Sequence, residues 1–118
     1  MDIKQPGQIV LFRFPQTDLK ESKLRPALIV SKVPGEYEDL LVCMITSRSK
    51  QFLSDFEELI SKEHKEFSQT GLRNDSVVRL TRLAVIDEKI LVGKIGSISN
   101  DLLKTIKTKI VHWIMESP

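Results

Sequence analysis

Leu24-Arg25-Pro26-Ala27-Leu28-Ile29-Val30-Ser31 sets a charged residue and a proline at the mouth of a short apolar run, Ala27 to Val30. Proline fixes φ and donates nothing to a sheet ladder, so it belongs at the first residue of a strand or on an edge. The stretch reads as a strand over residues 25–31 with Arg25 at its rim. An arginine there can simply be solvated, and the rest of the chain decides whether it does more.

Working outward, Gln8 to Phe14 alternates in the period of a half-buried strand, with Val10, Phe12 and Phe14 on one face, and Pro15 ends it. Gln16 to Lys23 is polar, lacks helical periodicity and reads as a loop leading into Arg25. Beyond the central stretch, Pro34-Gly35 is a turn signal. Leu40 to Ser47 follows, apolar on both faces until Thr46 and Ser47, as expected of a strand covered on both sides whose polar end emerges at the sheet's rim. Residues 48–70 admit two readings. Ser54-Asp55-Phe56-Glu57 matches a capping box with a loose helical stripe behind it, and the alternative is a short strand near Asp55 to Ile60 followed by one or two helical turns.

Val77 to Leu83 is again strand-like, and simple alternation places Val77, Arg79, Thr81 and Leu83 on one face. Ala84 to Ile86 continues it to a turn at Asp87-Glu88-Lys89, with a further strand from Ile90 to Val92. The C-terminal segment is helical. Ser99 is an N-cap, Asp101 lies in the first turn, and Leu102, Leu103, Ile106, Ile110, Trp113 and Ile114 recur at helical spacing. Lys104, Lys107 and Lys109 fall on its expected solvent side. Short, mostly antiparallel strands with one terminal helix make a mainly β protein with helices (α+β), a small barrel or half-barrel that carries function on loops and strand rims.

Composition bounds the function. The chain has 118 residues, 41% apolar and 29% charged, the size of a single domain spanning residues 1–118. No apolar run approaches a membrane span and residues 1–10 lack a signal-peptide layout, so a cytoplasmic protein with no membrane partner is expected. One cysteine, Cys43, lies in an apolar run and reads as a small buried hydrophobe. Two histidines and one cysteine, widely separated, offer no zinc-type cluster, and no P-loop, GxGxxG, GxSxG or HExxH pattern occurs, so neither metal nor cofactor is expected. The net charge of +2 is a weak argument for nucleic acid, but its clustering is stronger. Basic residues gather at Arg13, Lys20, Lys23, Arg25 and Lys32, at Arg48 and Lys50, and at Arg73, Arg79 and Arg82; if these segments share a face, they can hold several phosphates.

In this order and spacing, Gly7-Gln-Ile-Val, Arg25-Pro-Ala-Leu-Ile-Val-Ser, Ile45-Thr-Ser, Gly71-Leu, Ser76-Val-Val-Arg-Leu and Ile86-Asp resemble the MazF/PemK family of toxin endoribonucleases. The resemblance runs from about Gly7 to the C-terminal helix. It implies an SH3-like β-barrel of about five to seven strands closed by a C-terminal α-helix. It also implies a homodimer, metal-free cleavage of single-stranded RNA at short motifs, and a cognate antitoxin whose disordered tail fills the RNA groove. By the same resemblance Arg25 and Thr46 are the functional pair, and some members use an arginine matching Arg79.

These residue types suit the chemistry. Attack of a ribose 2′-OH on its own phosphate needs a base, an acid and donors for the anionic phosphorane. Arginine offers a rigid fork of donors matched to phosphate oxygens, Thr46 adds a hydroxyl, and Ser47 assists. Lys20, Lys23 and Arg48 are the expected RNA-binding cations. At one position the sequence departs from the family pattern: PemK-like members carry an aspartate two residues after the arginine matching Arg79, and Thr81 stands there, able to contact RNA but not to accept a proton. Glu21 is the expected substitute, as base or by orienting Arg25. Two other classes remain open, a non-cleaving barrel that binds RNA or an antitoxin peptide, and a toxin directed at gyrase like the fold-related CcdB proteins.

Overall fold

Turn chemistry divides the chain into a small set of short elements. The computed structural model describes residues 4–15, 22–48 and 52–118. In chain order these form β1 (Gln8–Pro15), β2 (Ser22–Lys32), β3 (Asp39–Thr46), β4 (Glu57–Ile60), the one-turn helix α1 (Phe67–Thr70), β5 (Ser76–Asp87), β6 (Leu91–Ser97) and α2 (Asn100–Glu116). A 3-10 turn over Glu88–Ile90 joins β5 to β6. Every ladder is antiparallel, in the order β4-β5-β3-β2-β1-β6. The sheet thus has two edges, β4 and β6, and among the described residues no ladder joins them. A six-stranded antiparallel sheet with a C-terminal helix is what stands of the expected SH3-like barrel; strand pairing does not close it.

The segment after β4 spans to the far edge instead. The side-chain amide of Gln69 donates to the Ser97 carbonyl at 3.3 Å. Gly96 lies so close beneath α1 that a Cβ there would strike the carbonyls of Gln69 and Thr70, and one at Gly71, which ends α1 at φ 74°, would strike the Ile95 carbonyl. Glycine is required at both positions because backbone meets backbone.

Each sheet face carries its own apolar cluster. Ile9, Leu28, Val30, Cys43, Ile45, Val78 and Leu80 pack under α2 through Leu103, Ile106 and Ile110. Val10, Phe12, Ala27, Ile29, Leu40 and Val42 pack on the opposite face, with Met44, Ala84 and Ile86 beside them. This explains the unbroken apolar run of β3, whose alternate residues serve different clusters. Burial pushes the Cys43 thiol up to about 12, so it is an inert core residue. No described helix is long and apolar enough to cross a membrane.

Several details differ from the sequence expectation. β2 begins at Ser22, so Arg25 and Pro26 lie inside the strand, paired with Phe12 and Leu11 of β1. Proline is tolerated because the β2–β3 ladder starts only at Ala27↔Met44, one residue further on. Of the two readings of residues 48–70, the short strand is realised as β4, with a helical turn at Phe67–Thr70; Glu57 caps no helix, and its Oε1 accepts from the Leu53 N–H at 2.8 Å. β5 does not alternate throughout. Its pairing steps from Cys43↔Leu83 to Met44↔Arg79, a bulge that inserts Leu80, Thr81 and Arg82 and removes Thr81 from the face of Arg79. Lys109 is no solvated lysine, since its Nζ lies 3.1 Å from Glu58 Oε1 and donates to the Ser54 carbonyl at 2.9 Å. Ile114 faces solvent.

The start of α2 is held by a buried carboxylate. Ser99 caps the helix, its Oγ accepting from the Leu102 N–H at 3.1 Å. Glu66 in turn accepts from the Ser99 N–H at 2.7 Å and from its hydroxyl at 2.6 Å. Burial alone would push the Glu66 carboxyl up, but these bonds, helped by His64 and Lys65, outweigh it and hold the group below its ordinary 4.5. A depressed folded-state value means that the carboxylate's stabilisation is complete above pH 4.5 and is lost as pH falls through the lower, folded-state value. Glu66→Gln is therefore expected to destabilise the protein by about 1–2 kcal/mol in urea unfolding at neutral pH. The difference from the unsubstituted protein should shrink progressively below pH 4.5; a difference independent of pH would contradict the assignment.

Candidate functional site

Strand register builds the site. On the face of the second apolar cluster, Val10, Ala27, Met44, Arg79 and Glu57 form one row across β1, β2, β3, β5 and β4. The next row holds Phe12 and Arg25 on β1 and β2, then Thr46, Val77 and Leu59 on β3, β5 and β4. The β2–β3 pairing stops at Ala27↔Met44, and continuing its register by two residues sets Arg25 opposite Thr46. Arg79 is then diagonal to Thr46 on adjacent strands, a separation of roughly 7–8 Å between backbones. Long arginine side chains on either side of a threonine hydroxyl can close on a group the size of a phosphate.

These residues line a groove of about 600 Å³ together with the β3–β4 connection and the segment leading into β5. Lys23, Arg25, Arg48, Arg73, Arg79 and Arg82 all line it, and no carboxylate or histidine does among the described residues. The chain's net charge is only +2, so cations have been sorted onto one surface. Such crowding of like charge is unfavourable in the empty groove and attracts a polyanion. Thr46 is half-buried, and its Oγ1 accepts from the Arg48 N–H at 3.2 Å. A hydroxyl that accepts from its own turn keeps its proton for an outside acceptor.

Of the residues singled out from sequence, Lys23, Arg25, Thr46, Ser47, Arg48 and Arg79 meet in this groove. Thr81 does not. The bulge turns it into a second cavity of about 760 Å³, beside Phe56 and the Trp113 end of α2. Lys20 and Glu21 lie outside the described residues. The sequence reading names Arg73 and Arg82 only within a basic cluster and gives Asn74 and Ser76 no site role; the segment entering β5 and the bulge within it bring all four to the groove. The basic clustering of residues 73–82 was the signal for the two arginines; Ser76, buried and donating to the Asn74 carbonyl at 2.8 Å, gave none. Glu57 was also missed as a neighbour of the site. It is buried, and its Oε2 lies 3.7 Å from Arg79 Nε.

If groove geometry rather than net charge governs polyanion binding, Arg73→Ala and Arg82→Ala should each elute from heparin at lower salt than Lys104→Ala or Lys107→Ala, whose lysines are exposed on α2. Equal shifts for all four would show that the groove is not the binding surface.

The comparisons with known proteins agree with one another. The model of a family described as PemK-like, MazF-like toxin of type II toxin-antitoxin system matches residues 5–114. A MazE–MazF crystal structure (Form-II) from Deinococcus radiodurans superposes with a TM-score of 0.74 at 21% identity, covering 99% of this chain and 100% of that one. The toxin MazF-mt6 of Mycobacterium tuberculosis gives 0.66 at 20% identity over 92% and 96% of the two chains. An endoribonuclease in complex with its cognate antitoxin, from a mycobacterial species, gives 0.65 at 13% over 98% and 99%. At such identities the structural likenesses speak for the fold alone. No protein of curated function matches the sequence.

Proposed function

The chain belongs to the PemK-like, MazF-like toxins of type II toxin-antitoxin systems, and on that premise we propose that its basic groove binds and cuts single-stranded RNA. The observation that carries this reading is the alignment of Arg25, Thr46 and Arg79 on adjacent strands inside a groove with six cationic side chains and no described carboxylate. A flexible single strand suits it, because successive phosphates can settle on Lys23, Arg48, Arg73 and Arg82 while the scissile one reaches the centre.

Arg25 and Arg79 approach the non-bridging oxygens of that phosphate and stabilise the charge that grows as the 2′-oxygen attacks. Thr46 donates its hydroxyl to the same group, and Ser47, the first residue past the end of β3, assists. The bond from phosphorus to the 5′-oxygen breaks, leaving a 2′,3′-cyclic phosphate on one fragment and a 5′-hydroxyl on the other. A cationic lining is a poor cage for a hard divalent ion, which takes oxygen ligands, so the reaction is metal-independent. The described lining residues offer no carboxylate or imidazole to accept a proton, and arginine stays protonated. Glu21, four residues before Arg25, supplies the missing acceptor or orients Arg25. Lys20 adds a further phosphate contact, and Thr81 touches RNA only where the strand passes over the bulge into the neighbouring cavity. Base contacts from the groove rim give the enzyme its sequence preference, the cuts fall on mRNA, and translation and growth stop.

A cognate antitoxin is the expected partner, since the Deinococcus radiodurans structure is a MazE–MazF complex and the mycobacterial endoribonuclease is bound to its own antitoxin. An acidic, extended antitoxin segment would neutralise the same cations that attract RNA. The active form is a homodimer in the cytoplasm.

Purified protein incubated with single-stranded RNA in EDTA tests the reading. Cleavage with cyclic-phosphate ends is expected, reduced roughly 100- to 1000-fold by Arg25→Ala or by Thr46→Ala with the circular-dichroism spectrum unchanged. Binding without cleavage would favour the non-cleaving barrel, for which the absence of a carboxylate among the described lining residues is the supporting observation. Inhibition of gyrase without RNA cleavage would support the third class.

A further inference from the structure

A buried carboxylate stands against the basic groove without lining it. Glu57 lies directly opposite Arg79 in the β4–β5 ladder, and its side chain is 7% exposed against 28% for the arginine. Its two oxygens have separate tasks. Oε1 accepts from the Leu53 N–H at 2.8 Å, which fixes the carboxylate to its own turn. Oε2 faces Arg79 Nε at 3.7 Å, an ion-pair distance longer than a hydrogen bond. That Nε is fully buried and has no hydrogen-bond partner, so the exposed part of Arg79, the part that lines the groove, is the remainder of its side chain. A second cation beside Glu57 is committed elsewhere. Lys109 Nζ lies 3.1 Å from Glu58 Oε1 and meets Glu57 only at its main-chain carbonyl, at 3.2 Å.

We infer that Glu57 is a positioning residue, which holds the inner edge of the Arg79 guanidinium so that its outer edge is presented to the scissile phosphate. A buried carboxylate needs a paired cation, and Arg79 is the one its side chain faces, so each group constrains the other. The pairing has two opposing effects on RNA. It fixes the orientation of the donors, which favours the chemical step. It also adds negative potential to a groove that binds anions, which weakens ground-state affinity. Loss of the charge on Glu57 should therefore separate rate from affinity, whereas loss of a merely structural group would lower both together with stability.

This inference rests on the assignment of Arg79 to the phosphate-binding groove. Glu57→Gln keeps the size and the acceptor for Leu53 and removes only the charge. Two readouts are needed, single-turnover cleavage of an RNA oligonucleotide and anisotropy with the same oligonucleotide made uncleavable by 2′-deoxy substitution. The cleavage step should fall about ten-fold. Affinity should stay the same or rise, the melting temperature should barely move, and Glu57→Gln should have no further effect on rate in an Arg79→Ala background. An equal loss of rate with and without Arg79, or affinity and rate falling together with the melting temperature, would overturn the proposal. If Glu57→Gln melts too early to assay, Glu57→Asp serves, since it keeps the charge but draws it back from the Arg79 Nε; a fall in rate confined to protein with Arg79 intact supports the pairing, and an equal fall in an Arg79→Ala background overturns it. Wild-type protein that binds the oligonucleotide without cutting it counts against the nuclease reading alone. Anisotropy then decides, an effect of Glu57→Gln confined to protein with Arg79 intact supporting the pairing and an equal effect in both backgrounds overturning it.

Discussion

Leu80, Thr81 and Arg82, the residues that β5 carries in excess of β3 between the Leu83–Cys43 and Arg79–Met44 pairs, fix where the charges of the groove stand. Without that bulge a continuous ladder would set Arg82 rather than Arg79 opposite Met44, and Leu80 opposite Thr46. With it, Arg79 falls beside Met44 and diagonal to Thr46, Leu80 stays in the core under α2, and Thr81 is turned into the neighbouring cavity. Bulges re-aim side chains in this way at the cost of local ladder bonds.

The scaffold must then hold like charges together. Six cations on one groove repel one another, and what opposes them is packing on both faces of the sheet, with Ala27 and Met44 beneath the groove rows and α2 sealing the other side. The Glu66–Ser99–Leu102 relay and the close backbone contact at Gly96 tie α2 and α1 to the β6 edge, which leaves the opposite end of the sheet, where β3 ends and β5 begins, free for the groove. In the proposed function RNA or an acidic antitoxin segment relieves the repulsion on binding, which couples affinity to salt.

Much of this was legible in the sequence, and the gaps have physical causes. Leu24 to Ser31 reads as a strand because proline, β-branched residues and a following Pro34-Gly35 turn agree, and the observed strand differs mainly by starting three residues before Arg25. Ser99 and the spacing of Leu103, Ile106 and Ile110 define α2 for the same reason. β4 was ambiguous because a four-residue edge strand bearing Glu57 and Glu58 carries little alternation, and Ser54 with Glu57 imitates a helix start. The bulge was invisible because period-two patterning has no signature for extra residues, so Thr81 was assigned to the wrong face. The ion pair of Glu57 and Arg79 depends on a pairing between strands about twenty residues apart, which no local pattern encodes.

The central claim is that Arg25, Thr46 and Arg79 converge on one phosphate of an RNA strand. A crystal structure of the protein with an RNA oligonucleotide carrying a single 2′-deoxy nucleotide at the cut site tests this directly, because the nucleophile is removed and the backbone is kept. The account predicts the phosphate 3′ of that nucleotide within hydrogen-bond distance of the Arg25 and Arg79 guanidinium groups and the Thr46 hydroxyl, roughly 2.7–3.2 Å. A strand seated in the Trp113 cavity or on α2, with those three side chains untouched, would contradict it.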